Sequence, residues 1–172
     1  MPRYLAAHHY GMGSLWWWIT ADSAEQVERE LSEVWVEDDP DTLARALGAT
    51  GVDEVDLSSE VLPAPLDSMR EQRREQRRDP LFGALAARGT VHLRTPPVEG
   101  DEELGEWLVE IGGDGYRTRQ VVLLPDGRAL RTDDWPFNPP YDLHDPELAR
   151  HEITAEEFER EWDRAVPDPD AL

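Results

Sequence analysis

A chain of 172 residues with 38 acidic and 17 basic side chains carries a net charge of −21. So negative a molecule disfavours nucleic acid as a direct ligand, because phosphate binding rests on cationic side chains that displace counterions. The absence of cysteine excludes a disulfide framework and a thiolate zinc site, and no stretch reaches the roughly 20 apolar residues of a membrane span. The first twenty residues, with one arginine and no apolar run of secretory length, do not read as a signal sequence. A cytoplasmic protein with no membrane association is therefore expected, and the length suits one domain with its own core.

In chain order, "RYLAAHHY" and "LWWWITA" read as two strands joined by a turn at Gly11-Met12-Gly13-Ser14. Ser23, with Gln26 three residues on, caps a first helix whose apolar stripe is Val27, Leu31 and Val34. "VWVED" is a short strand. Asp39-Pro40 opens a second helix that Gly48 stops, with Leu43 and Leu47 expected to be buried. "VDEVDL" is a weak strand, and "LPAPLD" turns into an arginine-rich helix, "MREQRREQRRD". "TVHLR" is a strand, and an acidic, proline-containing loop follows from Thr95 to Glu103. "EWLVEI", "YRTRQVVLL" and "RALRT", divided by the glycine turns GGDG and PDG, form an antiparallel meander. The last helix is the best specified: Thr154 caps it, Glu157 completes a capping box, and Ile153 with Phe158 makes a hydrophobic staple. Before it, residues 133–152 are too rich in proline for regular structure and too aromatic for a free tail, which predicts a strap pinned down by Trp135, Phe137 and Tyr141. These elements make a single α+β domain over residues 1–172, mainly an antiparallel sheet with three to five helices. Lobes over 1–95 and 104–172 are the one natural division.

Three adjacent tryptophans cannot share one side of a strand. Leu15, Trp17 and Ile19 face one way and Trp16, Trp18 and Thr20 the other. Either the strand is central and covered on both faces, or Trp16 and Trp18 belong to a binding surface, tryptophan being enriched among interface anchors. His8 and His9 also point opposite ways, so they do not ligate one metal from a regular strand, and neither a metal nor another cofactor is expected. On the arginine helix, Arg70, Arg73, Arg74 and Arg77 fall at three- and four-residue spacings. They are either internal counter-charge or an anion-binding face. Carboxylate pairs such as Asp133-Asp134 are too common in this chain to mark catalysis. "YGMGS" lacks the spacing of a nucleophile elbow, and GGDG, in a meander turn, is a poor phosphate loop.

Residues 106–162 hold "EWLVEIGGDGYRTRQVVLLPDGRAL" and "NPPYDLHDPELARHEITAEEFEREW". This half resembles small immunity-like domains of polymorphic toxin systems, and the whole chain, with its "HHYGMGSLWWW" start, is similar to uncharacterised actinobacterial acidic proteins. The resemblance implies a protein that neutralises a toxin by binding it. On that footing the expected function is capture of a basic protein partner such as a toxin domain, with Trp16, Trp18, Trp135, Phe137, Tyr141, Asp133, Asp134 and Asp142 as binding residues. The alternatives are an enzyme of unrecognised type, with a site near His8, His9 and the 133–145 loop, and a DNA-mimicking inhibitor.

Overall fold

The computed structural model describes residues 1–11, 13–97, 99–100 and 102–169, and its chain divides into two compact units, Met1–Phe82 and Gly83–Leu172. The loop expected to separate two lobes, Thr95–Glu103, lies inside the second unit. Positions 98 and 101 of that loop, and Met12 of the first turn, are outside the described residues. The fold is α+β, with five α-helices among the described residues and two mostly antiparallel sheets.

In the first unit β1 (Arg3–His9) and β2 (Ser14–Thr20) pair antiparallel, from Arg3 opposite Thr20 to His9 opposite Ser14. β3 (Trp35–Val36) flanks β1, and β4 (Asp53–Asp56) lies parallel to β2, so the sheet order is β3-β1-β2-β4 and the tryptophan strand is interior. Alternation puts Ala6, Trp17 and Ile19 in a core shared with Val27 and Leu31 from the chain around α1 (Ala24–Glu30) and with Leu66 and Met69 of α3 (Leu66–Gln76). The opposite face buries Leu5, Ala7 and Trp18. Trp17 and Trp18 are 4% and 8% exposed, whereas Trp16 is half-buried.

Local chemistry explains the helix starts. Ser23 Oγ accepts from Gln26 N at 3.1 Å, and Gln26 Oε1 accepts from Asp22 N at 2.8 Å, so the return bond of the capping box lands one residue earlier than the standard motif. Asp39 accepts from Thr42 N at 2.8 Å and caps α2 (Pro40–Gly48). The expectation that α2 buries Leu43 and Leu47 is not met: Leu43 is half-buried and Leu47 is 65% exposed. The groove beside Trp16 is lined from α2 and its C-cap by Thr42, Arg45, Ala46 and Ala49 and not by the leucines.

In the second unit β5 (Thr90–Thr95), β6 (Glu106–Gly112), β7 (Arg117–Leu123) and β8 (Ala129–Thr132) form the expected antiparallel meander. Two-residue strands complete it at the edges, β9 (Glu152–Ile153) beside β5 and β10 (Val166–Pro167) parallel to β8. α5 (Ala155–Arg164) covers one face, packing Phe158 and Trp162 on Leu108 and Val121. Thr154 Oγ1 accepts from Glu157 N at 3.1 Å, as expected of its cap. On the other face Val91, Leu93, Val109 and Ile111 meet Leu85, Tyr141, Leu143 and the short α4 (Pro146–Ala149). The strap is pinned as well by Gly115, whose carbonyl accepts from Tyr141 N at 2.8 Å. A Cβ at Gly115 would lie 2.7 Å from Tyr141 O, and its φ of +84° suits glycine.

Candidate partner-binding surface

The four arginines of α3 are not presented together. Arg70 and Arg73 are buried, at 7% and 1% exposure. Arg70 donates to the carbonyls of Ser59 and Glu60 at 2.8 and 2.6 Å and to Asp67 at 3.2 Å. Arg73 donates to Glu28 O and Leu31 O at 3.0 and 2.8 Å, and Arg77 to Arg29 O at 2.6 Å. Those three carbonyls belong to the C-terminal end of α1, where the last turn leaves acceptors without helical partners and favours positive charge. Arg74 and Arg77 are exposed, and Arg74 pairs with Glu71 at 3.0 Å.

Under α5 a second set of charges, not singled out by sequence, binds sheet to helix. Arg119 Nε donates to Glu110 at 2.9 Å and its Nη1 to Glu159 at 3.1 Å. Glu110 also meets His92 Nε2 at 3.2 Å. The Arg119 guanidinium lies 5.0 Å from the ring centres of both Phe158 and Trp162. Hydrogen bonds from Arg119 outweigh burial and hold the Glu110 carboxyl at about 2, far below the usual range, with Thr118 and His92 adding to the shift. The same bonds raise Arg119 and lower Glu159. Strand register, which brings His92 opposite Glu110 and Glu110 opposite Arg119, is the signal that single-sequence reading lacked.

The residues expected to bind a partner fare differently. Trp18 lies buried beneath the Arg3 guanidinium, 4.5 Å from its ring centre. Trp135 is half-buried against Arg117 at 4.2 Å, and Asn138 donates to Arg117 O at 2.8 Å. Tyr141 packs on the sheet core, and burial raises its hydroxyl pKa against the opposing effect of Arg117. Asp142 accepts from His144 N at 3.1 Å and serves a turn. Phe137 is 55% exposed, and Asp133 and Asp134 are exposed beside it in sequence. Two further exposed apolar residues went unpredicted, Trp107 and Leu104, next to the exposed Glu102 and Glu103.

His8 and His9 diverge as alternation requires. His8 Nδ1 bonds Glu33 O at 2.9 Å, and His9 Nδ1 bonds Ser14 Oγ while its ring sits 5.0 Å from that of Trp35. Burial and the neighbouring His8 lower the His9 pKa, and Glu37 opposes them. Among the described residues no group of three or more His, Asp or Glu side chains has the arrangement of a metal site. The 133–145 loop belongs to the other unit.

Trp16 lines an apolar concavity of the first unit, a groove of about 290 Å³ whose other walls are Thr42, Arg45, Ala46, Ala49 and Val52. Exposed carboxylates flank it in sequence on both sides: Asp38 and Asp41 at the start of α2, and Asp53 directly after Val52. Arg45, the cation of the lining, donates to Thr42 Oγ1 at 2.9 Å. Elsewhere in the chain, cations are held in ion pairs of their own, as Arg3 with Glu54, Arg88 with Glu152 and Arg94 with Glu106.

No protein-family model, curated protein or solved structure matches this chain. Among the described residues no helix is long and apolar enough to cross a membrane.

Proposed function

We propose that this chain is a protein-binding module for a basic partner, acting in the manner of an immunity protein that captures and neutralises a cationic toxin domain in the cytoplasm. One observation carries the reading: the buried and part-buried arginines are taken up by carbonyls and carboxylates, while exposed carboxylates stand next in sequence to the lining of the Trp16 groove in one unit and to Leu104 and Trp107 in the other. Such surfaces attract cations at range and hold them by desolvated aromatic contact. The test is affinity capture from the native host at low and moderate salt, followed by co-expression with the protein retained. The expected result is a protein with a basic surface whose toxicity the chain relieves.

A second reading, an enzyme with its site at His9, draws on one observation, the His9–Ser14 hydrogen bond with the imidazole pKa held low. Turnover of a metabolite that His9→Ala abolishes would favour it.

A further inference from the structure

We infer that the groove between Trp16 and α2 is the docking site for an amphipathic basic helix of the partner, which packs along α2 with its apolar stripe in the groove and its lysines or arginines on the flanking carboxylates. The inference rests on the protein-binding reading and specifies its partner.

α2 is well capped at its start, by Asp39 and a proline in the first turn, yet buries none of its residues. A nine-residue helix built with such local care, yet with no residue fully buried, leaves apolar surface uncovered. The groove side of that surface is small: Ala46 and Ala49 let a second helix approach closely, with the half-buried Trp16 as the floor and Val52 as the far wall. The exposed Leu47 extends the apolar area along the same helix. This is the arrangement by which an amphipathic helix is read through anchors one turn apart.

Charge and chemistry choose the occupant. A second copy of this chain would bring another −21 to a groove whose lining residues are flanked in sequence by the exposed Asp38, Asp41 and Asp53, so self-association is opposed. A small metabolite is a poor fit, because about 290 Å³ sits at the lower edge of the roughly 300–1,000 Å³ typical of such sites and the lining offers few convergent polar groups. A helix with cations beside its apolar stripe suits the apolar lining and the neighbouring carboxylates, while Arg45, the cation of the lining, is held by Thr42.

The probe is a labelled helical peptide of lysine with a leucine stripe at helical spacing. Its control is the same peptide with every leucine replaced by glutamine, and binding to the full chain is read by fluorescence polarisation. Ala46→Gln narrows the groove without altering charge at a half-buried helix position, with unchanged urea unfolding as the control for folding, and Trp16→Ala removes the floor. The leucine peptide is expected to bind the native chain about tenfold or more tightly than the control, and Ala46→Gln to remove most of that difference, as loss of an anchor contact does. Asp38→Asn with Asp53→Asn should weaken both peptides at low salt. Equal binding of the two peptides, or leucine-peptide affinity unchanged in Ala46→Gln, would overturn the groove assignment and leave the acidic-surface reading standing. Failure of either peptide to bind at low salt would remove both. A dimer of the native chain that Ala46→Gln dissociates would give the groove to a second copy instead.

Discussion

In the first unit the buried guanidinium of Arg73 bonds to neutral backbone carbonyls and that of Arg70 to two carbonyls and Asp67, whereas in the second the guanidinium of Arg119 bonds to the carboxylates of Glu110 and Glu159. Arginine keeps its charge at every accessible pH and a backbone carbonyl does not titrate, so the carbonyl bonds of the first unit are indifferent to acid. The Arg119 bonds of the second are not, because their partners titrate. The same side chain therefore makes one unit depend on satisfying the end of a helix and the other on keeping carboxylates ionised. In both, the arginines are turned inward or paired, and the net negative charge is left to the surface.

The largest effect expected in the first unit comes from its core: Trp17→Ala should cost about 3–5 kcal/mol in urea unfolding, as large-to-small changes at filled sites do. Arg73→Met should come next. It strands the carbonyls of Glu28 and Leu31 in a buried place, at about 1–3 kcal/mol for each acceptor left unsatisfied. The two carbonyl bonds should contribute equally at pH 4 and pH 7, so a loss that shrinks at pH 4 would show that Arg73 also acts through a carboxylate.

Acid should separate the units. A carboxyl with a folded pKa of about 2 and an ordinary value of 4.5 stabilises the folded state fully above pH 4.5. The contribution fades as pH falls from 4.5 towards 2, because the unfolded chain then binds the proton that the folded chain refuses. At 1.36 kcal/mol per unit the Glu110 shift amounts to at most about 3 kcal/mol. The lowered carboxyls of the first unit, Asp39, Asp56 and Asp67, are exposed cap and turn groups, so their loss should matter less. Amide exchange between pH 5 and pH 3 should therefore show β6, β7 and α5 losing protection before β1 and β2, and Glu110→Gln should erase most of the difference. The smallest effect is expected at Leu47→Ala, within about 0.5 kcal/mol, as for a surface position away from any packed contact. A cost above 1 kcal/mol would mean that α2 serves the core after all.

What the sequence revealed was chiefly local. The caps at Ser23, Asp39 and Thr154 hold as expected because each needs only a side chain and an amide three residues away. The meander was legible because its turns are written in glycine, proline and aspartate. Pairings made between distant segments were not. The parallel contact of β4 with β2 and the two-residue β9 and β10 carry no pattern of their own. The partners of Arg70 and Arg73 could not be read from so polar a helix, because the carbonyls that Arg73 serves lie more than forty residues earlier. At the candidate site Trp16 was marked by alternation, but alternation grouped it with Trp18, which the structure buries. The groove itself was hidden by the leucines of α2, whose spacing read as a core stripe, while the alanines and threonine that line it gave no signal.

The central claim is that an acidic surface steers a basic protein and desolvated aromatics hold it. It is tested most directly by the association and dissociation rates of the purified chain with the protein it retains, measured from low salt to well above 0.15 M. At 0.15 M the screening length is only about 8 Å, so the association rate should fall steeply over that range while dissociation changes little, and Trp16→Ala should speed dissociation without slowing association. An association rate indifferent to salt, or no protein retained even at low salt, would contradict the account.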